Sequence, residues 1–171
     1  MRAAALGALA RLDLLDDDTV RAYLTDPDAG VRRRAVTLAA TRPGVDLIPA
    51  LSDADASVVE VAAWACGERD TAPTAVVDRL VTLAGSAADP LVREASVAAL
   101  GALGSDRGLT AILAATEDKP AVRRRAVLAL APFLDPEYGR AAEVTAALQR
   151  ALADRDWQVR QAAEDLIPHD E

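Results

Sequence analysis

The sequence predicts an all-α solenoid of about five antiparallel helix pairs preceded by an N-terminal half repeat. Three observations support this fold class. One short segment recurs along the chain, apolar residues recur within it at helical spacing, and only 3% of the 171 residues are aromatic although 51% are hydrophobic. A core of small aliphatic side chains is typical of many thin helix–helix seams. We expect a single repeat domain over residues 1–171.

The recurring segment contains an acidic residue, a turn, a Val-Arg pair and an Ala or Ser three residues after the Arg. Its copies are separated by 27 to 37 residues, a period that fits one helix pair per copy. The aligned anchor residues are Met1, Val31, Val58, Val92, Val122 and Val159.

Each anchor begins a predicted second helix. An aspartate three residues before the anchor is suited to accept backbone N–H bonds at a helix start. These predicted caps are Asp28, Asp55, Asp89 and Asp156. Lys119 stands at the same position in the fifth copy, so we expect that helix to begin less firmly.

A partner helix is predicted before each second helix, except in the first copy. Turn signals such as Arg42-Pro43-Gly44 separate the two. The predicted partner helices cover roughly residues 17–25, 45–52, 74–85, 107–116 and 141–153.

The run LIPALSDADASVVEVAAWACGE, from residue 47, and the copies that end in VRRRAV resemble HEAT repeats. They are most similar to the short repeats of phycobilin lyase subunits and many bacterial proteins. The resemblance extends from Met1 to about Leu166. It implies the solenoid fold, but the family includes scaffolds, lyase subunits and a few enzymes, so it does not identify the function.

The resemblance also implies an internal polar ladder between an acidic residue of the turn and an arginine of the second helix. The pairs would be Asp26 with Arg32, Glu117 with Arg123, and Asp154 with Arg160. Val59 stands where Asp53 would need an arginine, and Ala87 stands where Arg93 would need an acid. We therefore expect two interruptions in the ladder.

Catalytic and metal sites are not predicted. The chain has one histidine, His169, and one cysteine, Cys66, which cannot supply a zinc ligand set. Cys66 lies on the apolar face of its helix with no evident base, which favours a small buried residue over a nucleophile. We expect no enzyme activity, no cofactor and no metal.

Charge and hydropathy restrict the partners. The net charge is −8, which repels nucleic acids unless charge is segregated. The longest stretch without a charged residue, 95–105, is too short to span a membrane. We expect a cytoplasmic protein whose partner is a protein of unknown identity, with no nucleic acid and no membrane.

A candidate protein-binding surface follows from the outward positions of the second helices, which line the concave face in the solenoids that this chain resembles. Six residues after the anchors, the series reads Gly7, Thr37, Trp64, Ala98, Leu128 and Asp165. Trp64 and Leu128 are apolar where a charge is usual. With the outward Arg33, Glu60, Glu94 and Arg124, they have the composition of a binding hot spot. The alternative is that Trp64 packs against the next repeat and covers an alanine there.

Other interpretations remain open at this stage. The segments 32–34 and 123–125 are basic, as in a DNA glycosylase built on HEAT-like repeats, although the outward row alternates in sign. A lyase-type or chaperone-like subunit that cradles a prosthetic group would need a deep pocket with convergent polar groups. Trp157 is predicted to cap the C-terminal end. Because the first copy lacks its partner helix, self-association through the N-terminal end is possible, as is a role as a module of a larger assembly.

Overall fold

A computed structural model describes residues 1–135 and 139–167, and the regular elements within these ranges are all helical. Two short 3₁₀ turns, Ala50–Ser52 and Ala131–Leu134, accompany the α-helices. The α-helices are α1 Arg2–Arg11, α2 Asp17–Tyr23, α3 Ala29–Ala39, α4 Ala56–Gly67, α5 Thr74–Ser86, α6 Pro90–Leu103, α7 Asp106–Ala115, α8 Pro120–Ala129, α9 Ala141–Ala151 and α10 Trp157–Glu164. The predicted all-α solenoid is confirmed.

The helices form two layers. The second helices α1, α3, α4, α6, α8 and α10 pack one against the next in chain order. The partner helices α2, α5, α7 and α9 pack against this layer from one side. Apolar side chains such as Leu80, Ile112 and Leu148 are fully buried between the layers. No repeat could bury these side chains alone, so each repeat depends on its neighbours for stability.

The predicted aspartate caps are confirmed. The Asp28 carboxylate accepts from the backbone N–H of Gly30 at 2.8 Å, and Asp55 accepts from Ser57 at 2.9 Å. Asp89 and Asp156 cap α6 and α10 in the same way. Lys119 makes no side-chain hydrogen bond at the start of α8, as its chemistry predicts.

The partner helix predicted over 45–52 is wrong, although the other four lie within two residues of their predicted bounds. Proline at position 49 lacks an N–H and disfavours helical backbone at Ile48 before it. Val45 and Leu51 nevertheless remain buried, so the apolar spacing reports a buried segment that is not a helix. Arg69 stabilises this segment by donating from Nη2 to the carbonyl oxygens of Ala39, Arg42 and Val45.

Glycines allow the second helices to approach closely. A Cβ on Gly101 of α6 would lie 2.6 Å from the Cβ of Ala129 in α8, and one on Gly67 of α4 would lie 2.9 Å from the Cα of Ala99 in α6. Separations this short are not tolerated between real side chains. The small-residue seams predicted from composition are therefore present where α6 meets both of its neighbours.

None of the helices in the described part of the chain is long and apolar enough to cross a membrane.

Candidate functional site

A ladder of arginine–aspartate pairs fixes the spacing of the repeats. Arg32 binds the carboxylate of Asp53, one repeat further along the chain, with distances of 2.7 Å from Nε and 2.8 Å from Nη2. Its Nη1 donates to the backbone carbonyl of Asp26 in its own repeat at 2.8 Å. One guanidinium therefore bridges two consecutive repeats, and this two-pronged geometry requires arginine.

The same arrangement recurs in two later repeats. Arg93 binds Asp118 at 2.6 and 2.8 Å, and Arg123 binds Asp154 at 2.8 Å through both nitrogens. Each also donates from Nη1 to a carbonyl of its own repeat. These side chains are mostly buried, so the pairs are desolvated more than ordinary surface ion pairs.

Two of the predicted pairs, Asp26 with Arg32 and Asp154 with Arg160, are in contact, but the arginine binds the backbone carbonyl of the aspartate and not its carboxylate. Arg32 reaches the carbonyl of Asp26, while the Asp26 carboxylate pairs with Arg2 at 3.0 Å. Arg160 donates to the carbonyl of Asp154 at 2.7 Å. The guanidinium of Arg32 lies over the gap between repeats, so the carboxylate it binds is that of Asp53 in the next repeat.

Glu117 does not pair with Arg123. Its carboxylate lies 4.0 Å from Arg150 on α9, and both side chains are largely exposed. The acid that Arg123 binds is Asp154, so Glu117 is a surface residue and not a member of the ladder.

The two interruptions predicted for the ladder fall at the same place and leave a single missing ion pair. Asp53 pairs with Arg32 of the preceding repeat, and Arg93 pairs with Asp118 of the following one. Val59 and Ala87 occupy the arginine and acid positions of the same rung, between the third and fourth copies.

Pairing shifts the titration of the ladder groups. The hydrogen bonds from Arg32, Arg93 and Arg123 lower the pKa of their aspartate partners below the ordinary value, and this effect exceeds the opposing effect of burial. The partner aspartates are Asp53, Asp118 and Asp154. These three carboxylates are ionised partners of arginines and serve the stacking of repeats.

The outward surface of α3, α4, α6, α8 and α10 is here called the second-helix face. Trp64 on α4 leans over α6 and lines a depression of about 410 Å³ together with Ala95, Ala98 and Ala102. The indole is still 42% exposed. Both interpretations of Trp64 therefore hold in part, because it lies beside alanines of the next repeat and part of its indole is exposed to solvent.

Two further depressions continue the first along the same face. Ala98, Ala102 and Arg125 are shared with a depression of about 270 Å³ that reaches Leu128 on α8. Leu128 is shared with a third of about 110 Å³, which Trp157 also lines. Alanines line the first two depressions, and the third adds Leu128 and Trp157 among polar side chains, so a continuous groove runs from α4 to α10.

Trp157 is 64% exposed and lies beside Arg124 and Leu128 in the third depression. The predicted role of Trp157 as a cap of the C-terminal end is wrong. Its position at the start of α10 projects the ring towards α8 on the second-helix face. The sequence signal for Trp157 is a tryptophan at a turn position where other copies have alanine or proline. That signal does not show in which direction the ring points.

The charged candidates are distributed along this face. Arg33 and Arg124 are exposed, while Glu60 and Glu94 are half-buried. Glu94 lies 3.6 Å from Arg125 Nη2, a pair that the sequence pattern did not identify. The structure brings Arg124 together with Leu128, whereas Arg33 lies on α3, outside the three depressions.

Neither the cysteine nor the acidic side chains of the described residues form an arrangement typical of a catalytic or metal site. Cys66 is buried, and desolvation raises the pKa of its thiol to about 11. Among the residues that the structure describes, no group of three or more His, Cys, Asp or Glu side chains is placed to hold a metal ion. His169 lies outside the described residues.

The stacked helix pairs and the inter-repeat ladder define a helical-repeat solenoid with an exposed second-helix layer. A family model described as HEAT repeats matches residues 44–131, about half of the chain. The chain belongs to the HEAT repeat family.

Two solved structures share this fold at low sequence identity. One is an engineered protein from the Northeast Structural Genomics Consortium, 21% identical, with a TM-score of 0.65 over 95% of this chain and 81% of that one. The other is a designed armadillo repeat protein in complex with the peptide (KR)4, 18% identical, with a TM-score of 0.70 over 93% of this chain and 82% of that one. No curated protein matches the chain.

Proposed function

We propose that this protein is a non-catalytic interaction scaffold that binds a segment of a protein partner along the second-helix face. The observation that carries the proposal is the run of three adjoining depressions between Trp64 and Trp157. Exposed tryptophan is enriched among the residues that dominate binding energy at interfaces. Two such rings on one face favour an extended contact over a single point of attachment.

Rigidity of this face also supports the proposal. The aspartate caps fix the helix starts, and the ladder fixes the separation of neighbouring repeats on either side of α4 and α6. A face that is preformed loses little conformational entropy when a partner binds. The designed armadillo protein, which has a similar fold, is in complex with a peptide.

Two other functions are less well supported. A cradle for a prosthetic group would need convergent buried polar groups, and the floors of the depressions are alanine-rich and open to solvent. A nucleic-acid partner would need a basic stripe, but Arg33 and Arg124 are separated by Glu60 and Glu94, and the net charge is −8. We also propose that the scaffold is cytoplasmic, as expected from the charge and hydropathy of the sequence.

The test is capture of partners from native lysate by the wild-type chain and by the Trp64→Ala and Leu128→Ala variants, with mass spectrometry. We expect both variants to keep the circular dichroism spectrum and thermal transition of a folded helical protein, while recovering the captured partner at least about fivefold less efficiently. The matched control is Leu14→Ala, because Leu14 is 68% exposed in the turn after α1, away from the depressions. Equal recovery by all three variants would refute the assigned face.

A further inference from the structure

We propose that the depression beside Trp64 takes a cationic side chain, lysine or arginine, of the partner segment; this inference rests on the proposed function. The observation behind it is the placement of two carboxylates around one exposed ring. Glu60 lies on α4 four residues before Trp64, and Glu68, four residues after it, is the C-cap residue of the same helix. Residues four apart share a helix face one turn from each other, so the indole lies between two acids.

Both acids are available to a partner. Within residues 1–135 and 139–167, Glu60 and Glu68 form neither an ion pair nor a side-chain hydrogen bond. Glu68 is exposed and lines the depression with Trp64, and Glu60 is half-buried. By contrast, the acids of the ladder are each held by an arginine. The two glutamates therefore contribute a negative potential that the chain itself does not neutralise.

The opposite wall of the depression does not reverse this charge. Arg125 lines it from α8, but its Nη2 lies 3.6 Å from Glu94 on α6. Trp64 thus has Glu68 beside it in the depression and Glu60 one turn away on α4, while Arg125, the guanidinium that lines the depression, already lies beside Glu94. An acidic segment would be repelled here, and a purely aliphatic one would leave Glu60 and Glu68 without counter-charges.

The ring itself favours a cation. A lysine or arginine positioned over an indole face is attracted by the negative face of the ring, and tryptophan is the strongest of the aromatic residues in this respect. The alkyl stem of the same side chain can lie on Ala95 and Ala98, which line the depression. Aromatic face, apolar floor and flanking acids together fit one chemical class of side chain.

The preference is confined to the middle of the face. Arg33 on α3 and Arg124 on α8 flank it on either side, and both are exposed. In the third depression, Leu128 and Trp157 offer apolar contact to a partner, beside the charged Arg124 and Asp165. The inferred partner segment therefore presents a basic residue over Trp64 and an apolar residue near Leu128, and not a long basic run.

The experiment measures the fluorescence of Trp64 in a Trp157→Phe background, so that one indole reports. The probes are three octapeptides of Gly and Ser that each contain one Leu: a basic one with a single Arg, an acidic one with Glu in place of the Arg, and a neutral one with neither. We expect a saturable change in emission with the basic peptide alone, weakening as salt is raised. Glu60→Gln/Glu68→Gln should weaken this binding by about 5- to 30-fold, the combined effect of two partly exposed ion pairs.

The matched control is Glu117→Gln/Glu164→Gln, which removes the same charge from exposed positions outside the depressions and should leave the affinity within about twofold. Equal weakening by both double variants would overturn the inference, because it would show attraction by net charge alone. A saturable response to the acidic peptide, or none to the basic one, would also overturn it. If Trp64→Ala still reduces partner capture in that case, the proposed scaffold function stands and only the cationic specificity fails.

Discussion

Val59 and Ala87 occupy the two positions of a single ladder rung, and both are apolar. Val59 aligns with Arg32, Arg93 and Arg123, and Ala87 aligns with Asp53 and Asp154, the acids that Arg32 and Arg123 bind. Val59 is only 6% exposed, as Arg123 is. A rung that lost one charged member would leave the other desolvated and unpaired, which is strongly unfavourable. The joint absence avoids that cost and explains how the stack continues without this pair.

The first prediction is that the missing rung can be rebuilt. Val59→Arg alone should lower the free energy of unfolding by roughly 2 kcal/mol or more, because a charge is buried without a partner. Ala87→Asp alone should be milder, since Ala87 is only half-buried. The double variant should recover much of the loss, with a coupling energy of about 1–3 kcal/mol measured by urea denaturation.

Additive effects of the two substitutions would contradict this alignment of Val59 with Ala87. A suitable reference is Thr82→Arg combined with Ala87→Asp, because Thr82 is exposed on α5 and lies outside the ladder. That pair should show little coupling.

Sequence periodicity located most of the fold because helical spacing and turn chemistry are local properties. The partner helix α5 was placed at 74–85 and is Thr74–Ser86, and the cap at Asp89 was identified from its position alone. The segment 45–52 failed because burial, and not helix formation, produced its apolar spacing. Pro49 disfavours a helix locally, and Arg69 donates to the Val45 carbonyl, which a helix would have paired internally.

Sequence predicts most of the residues that form the ladder, but not which acid each arginine binds. Asp26 and Arg32 are close in sequence, yet the guanidinium points across the repeat boundary to Asp53. Sequence spacing cannot show this direction, because it depends on how repeats stack. The same limit applies to Trp157, whose ring direction follows from the packing of α10 against α8.

The second prediction concerns acid. The pKa of Asp154 is lowered in the folded state, so its pairing contributes stability that is fully present above the unfolded pKa and is lost as pH falls through the folded pKa. Asp154→Asn should reduce the free energy of unfolding by roughly 1.5–3 kcal/mol at neutral pH. The difference from wild type should shrink progressively below about pH 4. Urea denaturation at pH 7, 5, 4 and 3 measures this difference.

The control is Asp78→Asn, which removes the ion pair of Arg107 with Asp78, at 2.8 Å but more than half exposed on both sides. An exposed pair of this kind contributes about 0–1 kcal/mol. A pH-independent deficit in Asp154→Asn would contradict the assigned role of the carboxylate charge.

The third prediction tests the close seams. Gly101→Ala would place a Cβ 2.6 Å from Ala129 Cβ and 2.7 Å from its Cα, so α6 and α8 must separate. We expect a loss of about 1–3 kcal/mol, as for other overpacked sites. Gly85→Ala is the matched control, because its Cβ would meet nothing within 4 Å on the exposed side of α5. It should stabilise by about 0.5–1 kcal/mol, and the opposite ranking in thermal denaturation would show that the seam tolerates wider spacing.

The fourth prediction concerns Cys66, whose thiol is buried and has its pKa raised to about 11 by desolvation. The thiolate is the reactive form, and in the folded protein both ionisation of the thiol and access of the reagent to it are suppressed. Modification by a disulfide reagent at pH 8 should therefore be slower than for an unfolded chain by at least about 100-fold. The rate should increase with low concentrations of urea, since reaction requires opening of the α4 region. The reference is the Ser86→Cys variant in a Cys66→Ala background, where the exposed thiol at the end of α5 should react at nearly the unfolded rate with or without urea. Rapid modification of native Cys66 would mean that α4 opens independently of the stack, and with it the position of Trp64 on the second-helix face would no longer be fixed.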